Sequence, residues 1–232
     1  MLALVYDIHG NLPALEAVLG DARERGADAW LLGGDMAAFG AWPAETVDRL
    51  RELDGATWIR GNTERWLADR SDLPADQPMH AAALACRAAL GDVTADELAA
   101  LPERAEPAPG TVAVHASPVS DMRSFAPQAT DADAELLGDV RSGLLVFGHT
   151  HLAFERRAGD VALLNPGSVG MPFDGDHRAA YALVGDDGGV ERRRVAYDHA
   201  RSASELRRRY GDEPWVGIVE ARLLQARFDV QR

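Results

Sequence analysis

Lysine is missing from this chain and cysteine nearly so. All 24 basic residues are arginine, set against 37 acidic ones, for a formal net charge of −13. So acidic a chain has no broad basic surface to displace counterions from a phosphate backbone, which excludes nonspecific binding to nucleic-acid polymers. The lone cysteine, Cys86, cannot form an internal disulfide, and within the run HAAALACRAAL it reads as a small buried core residue. No apolar run is long enough to cross a bilayer, and the amino terminus shows neither a basic leader nor a long apolar segment. These absences predict a soluble, cytoplasmic protein with no membrane partner. No mechanism attaches to the exclusive use of arginine.

What is present is a recurring arrangement of metal-ligand residue types. Four short segments carry them: Asp7-Ile8-His9, Gly34-Asp35, Gly61-Asn62 and His149-Thr150-His151, with His115 between the last two. The apolar runs LALVY, AWLL and LLVF precede the first, second and last segments and read as buried strands delivering side chains at their C-terminal ends. Residues i and i+2 of a strand point to the same side, so Asp7 with His9, and His149 with His151, can converge on one point. Glycines at 10, 34, 61 and 148 let the backbone turn sharply beside that point. A single Asp-x-His or His-x-His is commonplace as a capped turn or surface pair. Recurrence in strand-then-glycine settings is what points to a metal site. Oxygen and imidazole donors without thiolate suit Mn, Fe, Co, Ni or Zn.

In chain order the segments read DIHGN, GGD, GNTE, VHASP and GHTH, followed by NPGSVG at 165–170. The series resembles the signature of the calcineurin-like metallophosphoesterases: Asp-x-His, Gly-Asp, Gly-Asn-His-Asp/Glu, a separate His, then Gly-His-x-His. It extends from the first strand to about Tyr181. The resemblance implies two divalent metals, manganese first among the candidates, sharing Asp35 as a bridge. Asp7, His9 and His151 would complete one position, and Asn62, His115 and His149 the other; Asp35, Asn62 and His149 carry the implied catalytic roles. The implied reaction is hydrolysis of a phosphate ester by a metal-bridging hydroxide, with the dimetal centre stabilising charge on the phosphoryl oxygens.

One position departs from the pattern. Where many relatives have His after Gly-Asn, this chain has Thr63, a poor proton donor at neutral pH. That His assists the departing alkoxide in relatives and is not a ligand, so its loss leaves the metals in place. Some phosphodiesterases of the family also lack it, which favours cleavage of small diesters or nucleotides. The alternatives are a phosphomonoesterase, including a Ser/Thr phosphoprotein phosphatase, and a noncatalytic protein-interaction scaffold of the same fold. Retention of every ligand-type residue argues against the scaffold. Glu64, at the acidic position of the motif, is read as orienting His9 or a backbone amide.

Candidate substrate contacts are Asn11, Thr63, His80, Arg123 and Arg178. Asn11 either donates to the phosphate or caps the helix that begins near Pro13. His80 either supplies the missing acid or lies on the surface. Arg123 sits in the aperiodic segment SPVSDMRSFAPQA, expected as a loop at the mouth of the site, and Arg178 either meets a phosphate or forms a salt bridge.

A chain of 232 residues, 47% hydrophobic, can bury one sizeable core, and residues 1–232 are read as a single domain. Strands alternate with helical patterns in the first half, predicting parallel strands with outer helices. Residues 71–109 are expected as a helical insertion. The second half reads as short strands with hairpin turns at AGD and DDGG, predicting a second, more antiparallel sheet. With the resemblance, this gives an α/β fold: a four-layer αββα sandwich of two mixed sheets with outer helices. Arg192, Arg193 and Arg194 are placed on a solvated edge strand. Residues 202–232 read as two helices split by GDEP, whose apolar faces either cap the core or join copies into a homo-oligomer.

Overall fold

A computed structural model describes residues 1–69, 71, 73 and 77–229. In chain order its first elements are β1 (Leu2–Val5), α1 (Leu12–Glu24), β2 (Ala29–Leu32), α2 (Pro43–Arg51), β3 (Thr57–Trp58), α3 (Asn62–Ala68), α4 (Gln77–Leu90) and α5 (Asp92–Ala99). There follow β4 (Arg104–Ala108), β5 (Thr111–Val114), α6 (Asp133–Leu136), β6 (Gly143–Val146), β7 (Phe154–Ala158) and β8 (Val161–Asn165). The chain ends with β9 (Ala179–Val184), β10 (Val190–Val195), α7 (His199–Tyr210) and α8 (Pro214–Gln225). Residues 72 and 74–76 of the expected insertion, and 230–232 of the expected C-terminal helices, lie outside the described residues.

Alternation along β1 sets the layering. Leu2 and Leu4 face a cluster shared with Leu31, Ile59, Val146 and Leu164, which fills the space between two sheets. Ala3 and Val5 face the other way, into a cluster that includes Leu15, Val18 and Leu19 of α1 and Val47 and Leu50 of α2. The three-and-four spacing of Ala14, Leu15, Val18, Leu19 and Ala22 gives α1 its buried stripe. Asn11 starts that helix, its side chain accepting from the Ala14 amide at 3.4 Å, with Pro13 in the first turn. On the far side Phe125, Leu136 and Phe147 cover the second sheet, beneath a thinner layer of α6 and loop.

The first sheet runs β10-β9-β1-β2-β3 and the second β4-β5-β6-β8-β7. Contrary to expectation the second is no more antiparallel than the first. Each has two parallel and two antiparallel pairings, because the β9–β10 hairpin crosses back and docks antiparallel on β1. The turns at AGD and DDGG close the β7–β8 and β9–β10 hairpins as expected. A further difference lies in RAEPA, within the stretch read as helical: it forms β4, paired with β5. Pro107 cannot donate to the ladder, so β4 stays on the sheet edge, and its register breaks between Ala105 and Ala108. The arginines at 192–194 do lie on an edge strand, β10.

Helices α7 and α8 bury Leu206, Trp215, Val216 and Val219 against Ala41, Trp42, Ala82 and Met171 of the same chain. Cys86 is buried, as expected. Among the described residues no helix is long and apolar enough to cross a membrane.

Candidate metal centre

The ligand-type residues meet where strands of both sheets end. Asp7 and His9 follow β1, Asp35 follows β2, Asn62 opens α3 just beyond β3, His115 follows β5, and His149 and His151 follow β6. Asp7, His9, Asp35, Asn62, His115 and His151 are all buried, and His149 is half-buried. Ligand atoms of Asp7, His9 and His151 lie within 4.8 Å of one another, as do those of Asp7, Asp35 and His115. Asp35 turns Oδ2 toward His9 Nε2 at 3.8 Å and Oδ1 toward His115 Nε2 at 3.5 Å, one oxygen for each half of the cluster. Asn62 Oδ1 is 3.0 Å from both His115 Nε2 and His149 Nδ1. The structure thus brings together all seven residues singled out as ligands.

The backbone is strained to achieve this. Asp7, His9, Asp35, His149 and His151 all have φ between 50° and 67°, the left-handed region. Such conformations cost on the order of 1 kcal/mol or more per residue and persist only where the surroundings enforce them. Enforcement comes partly from backbone bonds between adjacent turns: the Asp7 amide to Gly34 O at 3.2 Å, and the His9 amide to Asp35 O at 2.9 Å. Glu64 adds more, its carboxylate accepting from the amides of Asp35, Met36 and Gly61, each at 2.8 Å. Its role is therefore on backbone amides and not on His9. Gly61 must lack a side chain, since a Cβ there would lie 2.3 Å from Asp35 Oδ1; at Gly148 it would lie 2.5 Å from Asp7 Oδ2. The NPGSVG segment braces the same turn, Ser168 Oγ donating to Asp7 O at 2.7 Å and Asn165 Nδ2 to Gly148 O at 2.9 Å.

Imidazole orientation is fixed by carbonyls behind the cluster. His9 Nδ1 donates to Ala38 O at 3.0 Å, His115 Nδ1 to Gly33 O at 2.9 Å and His151 Nδ1 to Met171 O at 2.5 Å. In the neutral rings this leaves each Nε2 as a lone pair facing the centre. His9 Nε2 and His151 Nε2 then stand 3.1 Å apart as two acceptors, and buried Asp7 Oδ1 has no hydrogen-bond partner. Converging lone pairs and an orphaned carboxylate oxygen are what a cation requires, so these residues fit divalent metals.

Protonation equilibria agree with the crowding. Burial lifts Asp7 well above the usual carboxylate range, helped by the neighbouring charge of Asp35. Burial opposes ionisation of Asp35 too, but His115 and His9 overcome it and draw Asp35 down to about 2. Burial lowers His149 to about 4 and holds His151 well below the usual imidazole range, so both are neutral near pH 7. His115 goes up despite burial, raised by Asp35 and Asp7.

A cavity of about 660 Å³ opens above the cluster. One wall is His9, Asp35, Asn62, His149 and His151; a second wall, adjoining it, includes Phe39, Trp66, Met79, Phe173, Arg222 and Phe228. No spacing in the sequence marks this second wall, which is gathered from α3, α4, α8 and separate loops. Of the expected substrate contacts, Thr63 is buried with its hydroxyl donating to Asp35 Oδ1 at 2.9 Å. Besides capping α1, Asn11 donates to Gly170 O at 2.7 Å, leaving its amide engaged behind the site. Arg123 pairs with Glu135 at 2.7 Å and Arg178 with Asp176 at 2.7 Å, and neither lines the cavity. On α4 it is Met79 that lines the cavity, while the neighbouring His80 does not.

Two facing mixed sheets with a ring of carboxylate, amide and imidazole groups at their shared strand ends define a metallophosphoesterase fold. A family model, the calcineurin-like phosphoesterase superfamily domain, matches residues 1–187, and the chain belongs to that superfamily. It is 28% identical over 200 residues to the phosphodiesterase YfcE of Escherichia coli, covering 81% of this chain and 89% of that one. The crystal structure of a metallophosphoesterase from Sphaerobacter thermophilus superposes with a TM-score of 0.80 at 28% identity, covering 97% of this chain and 98% of the other. A hypothetical protein from Pyrococcus horikoshii shares the fold, with a TM-score of 0.82 at 22% identity over 94% of this chain and 98% of its own.

Proposed function

We propose that this protein is a dimetal phosphoesterase that hydrolyses small phosphodiesters or nucleotides. The observation that carries the reading is the convergence, at one strained and buried point, of seven ligand-type side chains from both sheets. Asp7, His9 and His151 would hold one divalent cation, and Asn62, His115 and His149 the other, with Asp35 between them. When bound, the two cations supply positive charge for the phosphoryl oxygens and lower the pKa of water into the neutral range. The chain's own part is to fix the geometry. Carbonyls of Gly33, Ala38 and Met171 hold three imidazoles in the ligating tautomer, and Glu64 holds the Asp35 and Gly61 turns. Thr63 turns its hydroxyl onto Asp35 and so offers the leaving group no acid, which favours esters whose leaving group departs unaided.

Residues 1–232 act in this reading as one domain, with the 71–109 stretch and the C-terminal helices framing the cavity. The site serves a small phosphorylated substrate in the cytoplasm, without a nucleic-acid polymer or membrane as partner. A homo-oligomer built through the C-terminal helices would use their outer faces, because Trp215, Val216 and Val219 are already buried in the core. Manganese is the first metal to try, then Fe, Zn, Ni and Co. The test is turnover of bis-p-nitrophenyl phosphate and of p-nitrophenyl phosphate by protein loaded with each metal in turn. Diester turnover should exceed monoester turnover; a clear monoester excess transfers the protein to the phosphomonoesterases, and no turnover of either favours a scaffold.

A further inference from the structure

The second wall of the cavity is chemically unlike the metal centre, and part of that wall comes from outside residues 1–187 matched by the family model. Helix α8 contributes Arg222, and Ala226, with φ of 48°, turns the chain so that Phe228 also reaches the cavity. Two contacts anchor this turn to the loop that carries Phe173: the Gly175 amide donates to Ala226 O at 2.9 Å, and His177 Nε2 to Leu224 O at 2.8 Å. Phe173 stacks on His151 with ring centres 4.3 Å apart and meets Phe228 edge-on at 5.5 Å. The Arg222 guanidinium lies 4.3 Å from the Phe228 ring centre and 5.8 Å from that of Phe173. An unbroken aromatic path therefore runs from a ligand imidazole outward to Phe228, which is 57% exposed despite its size.

We infer that α8 and its terminal turn form the specificity wall of the site: Phe228 and Phe173 seat a flat aromatic arm of the phosphate ester, and Arg222 meets the phosphate from the same wall. This rests on the phosphoesterase reading for the phosphate but not for the arm. Two features select an aromatic arm over a short alkyl one, and a third attracts the phosphate. Ring faces and edges favour another ring. The volume, about 660 Å³, lies within the range of small-molecule pockets and far exceeds what a phosphate with methyl esters fills. In a chain of net charge −13, the Arg222 guanidinium, which lines the cavity beside the Phe228 ring, supplies attraction for an anion.

Binding of three phosphonates to the manganese-loaded protein, measured by calorimetry, tests the inference because their metal-facing groups are alike. Phenylphosphonate should bind at least about tenfold more tightly than methylphosphonate or cyclohexylphosphonate. Phe228→Ala should reduce the phenyl-to-methyl ratio to about threefold or less, while Phe228→Tyr should keep it. Arg222→Met, which keeps the stem and removes the charge, should weaken all three ligands, methylphosphonate included, by about tenfold. Equal binding of phenyl and methyl ligands, equal binding of phenyl and cyclohexyl ligands, or a ratio untouched by Phe228→Ala would overturn it. Turnover of methyl p-nitrophenyl phosphate separates the two claims. Turnover with a ratio of one removes the aromatic wall and leaves the phosphoesterase, whereas a high ratio without turnover does the reverse.

Discussion

The two walls of the cavity are built on opposite plans. The first belongs to the ligand cluster, which is polar, largely buried and strained, with five of its seven residues in the left-handed region and three of its four imidazoles pinned by carbonyls. The second wall is largely aromatic, and its members lie on α3, α4, α8, the turn that follows α8, and the loops around Phe39 and Phe173. Chemistry that tolerates little displacement is thus placed on turns locked to strand ends. Recognition is left to side chains that a substrate can press against. The difference predicts that substitutions on the first wall remove activity altogether and that those on the second redistribute it among substrates.

The sharpest challenge to that contrast is Asp35→Asn. Asn keeps the shape but brings no negative charge between the two cations: its Oδ1 can still accept from Thr63, while its NH2, in the place of Oδ2, would present donors toward His9 and the cation. Turnover of bis-p-nitrophenyl phosphate should fall at least about a thousandfold, roughly 4 kcal/mol of barrier. Elemental analysis should show metal content below two per chain. Normal turnover with full metal content would reduce Asp35 to a structural role.

Removing the metals should come next in size. A ligand held at a hundred times its dissociation constant stabilises the folded state by about 2.7 kcal/mol, and each kcal/mol shifts Tm by about 2–4 °C for a chain of this size. Chelation should therefore lower Tm by about 5–10 °C. Amides of the Asp35 and His149 turns should lose exchange protection while the inter-sheet core around Leu4 and Val146 keeps its own. Metal uptake should also depend on pH, with a definite sign. Asp7 and His115 both hold protons more firmly than usual, so protons and cations compete for them and affinity rises as pH increases and those protons leave. Calorimetry at pH 6 and pH 8 in buffers of different ionisation enthalpy reads both the affinity and the protons released. Affinity independent of pH would show that these two groups are not ligands.

The contrast between the walls also explains what the sequence revealed. Strand-end motifs announce the ligand wall because each pair has to lie at a fixed offset in one short segment, as Asp7 with His9 or His149 with His151. The two sheets were legible for the same reason, through apolar runs that stop at those motifs. The pairing of β9 with β1 was not, since nothing local in AAYALV states which edge it joins. Nor was β4, whose proline obscures a strand that survives only as an edge. Phe39, Phe173, Arg222 and Phe228 share no spacing at all, because a recognition wall needs only proximity in space. Arg123 and Arg178 stood out by charge, and each is bound instead to a carboxylate nearby in the chain.

Thr63 lies at the boundary between the two plans, and Thr63→Val should produce the smallest effect. The sequence placed it toward the substrate; in the structure its hydroxyl and its amide both donate to Asp35 Oδ1, at 2.9 and 3.0 Å. Valine removes only the first of these bonds at nearly constant volume, so Asp35 keeps its backbone donor. The loss should be about 0.7–1.4 kcal/mol, a threefold to tenfold fall in kcat/KM. Because a positioning role acts before the ester bond breaks, the fall should be the same for diesters with good and poor leaving groups. A series of aryl phosphodiesters of graded phenol pKa measures this directly. A steeper dependence on leaving-group pKa in Thr63→Val would mean that the hydroxyl reaches the departing oxygen, returning Thr63 to the substrate side of the cavity.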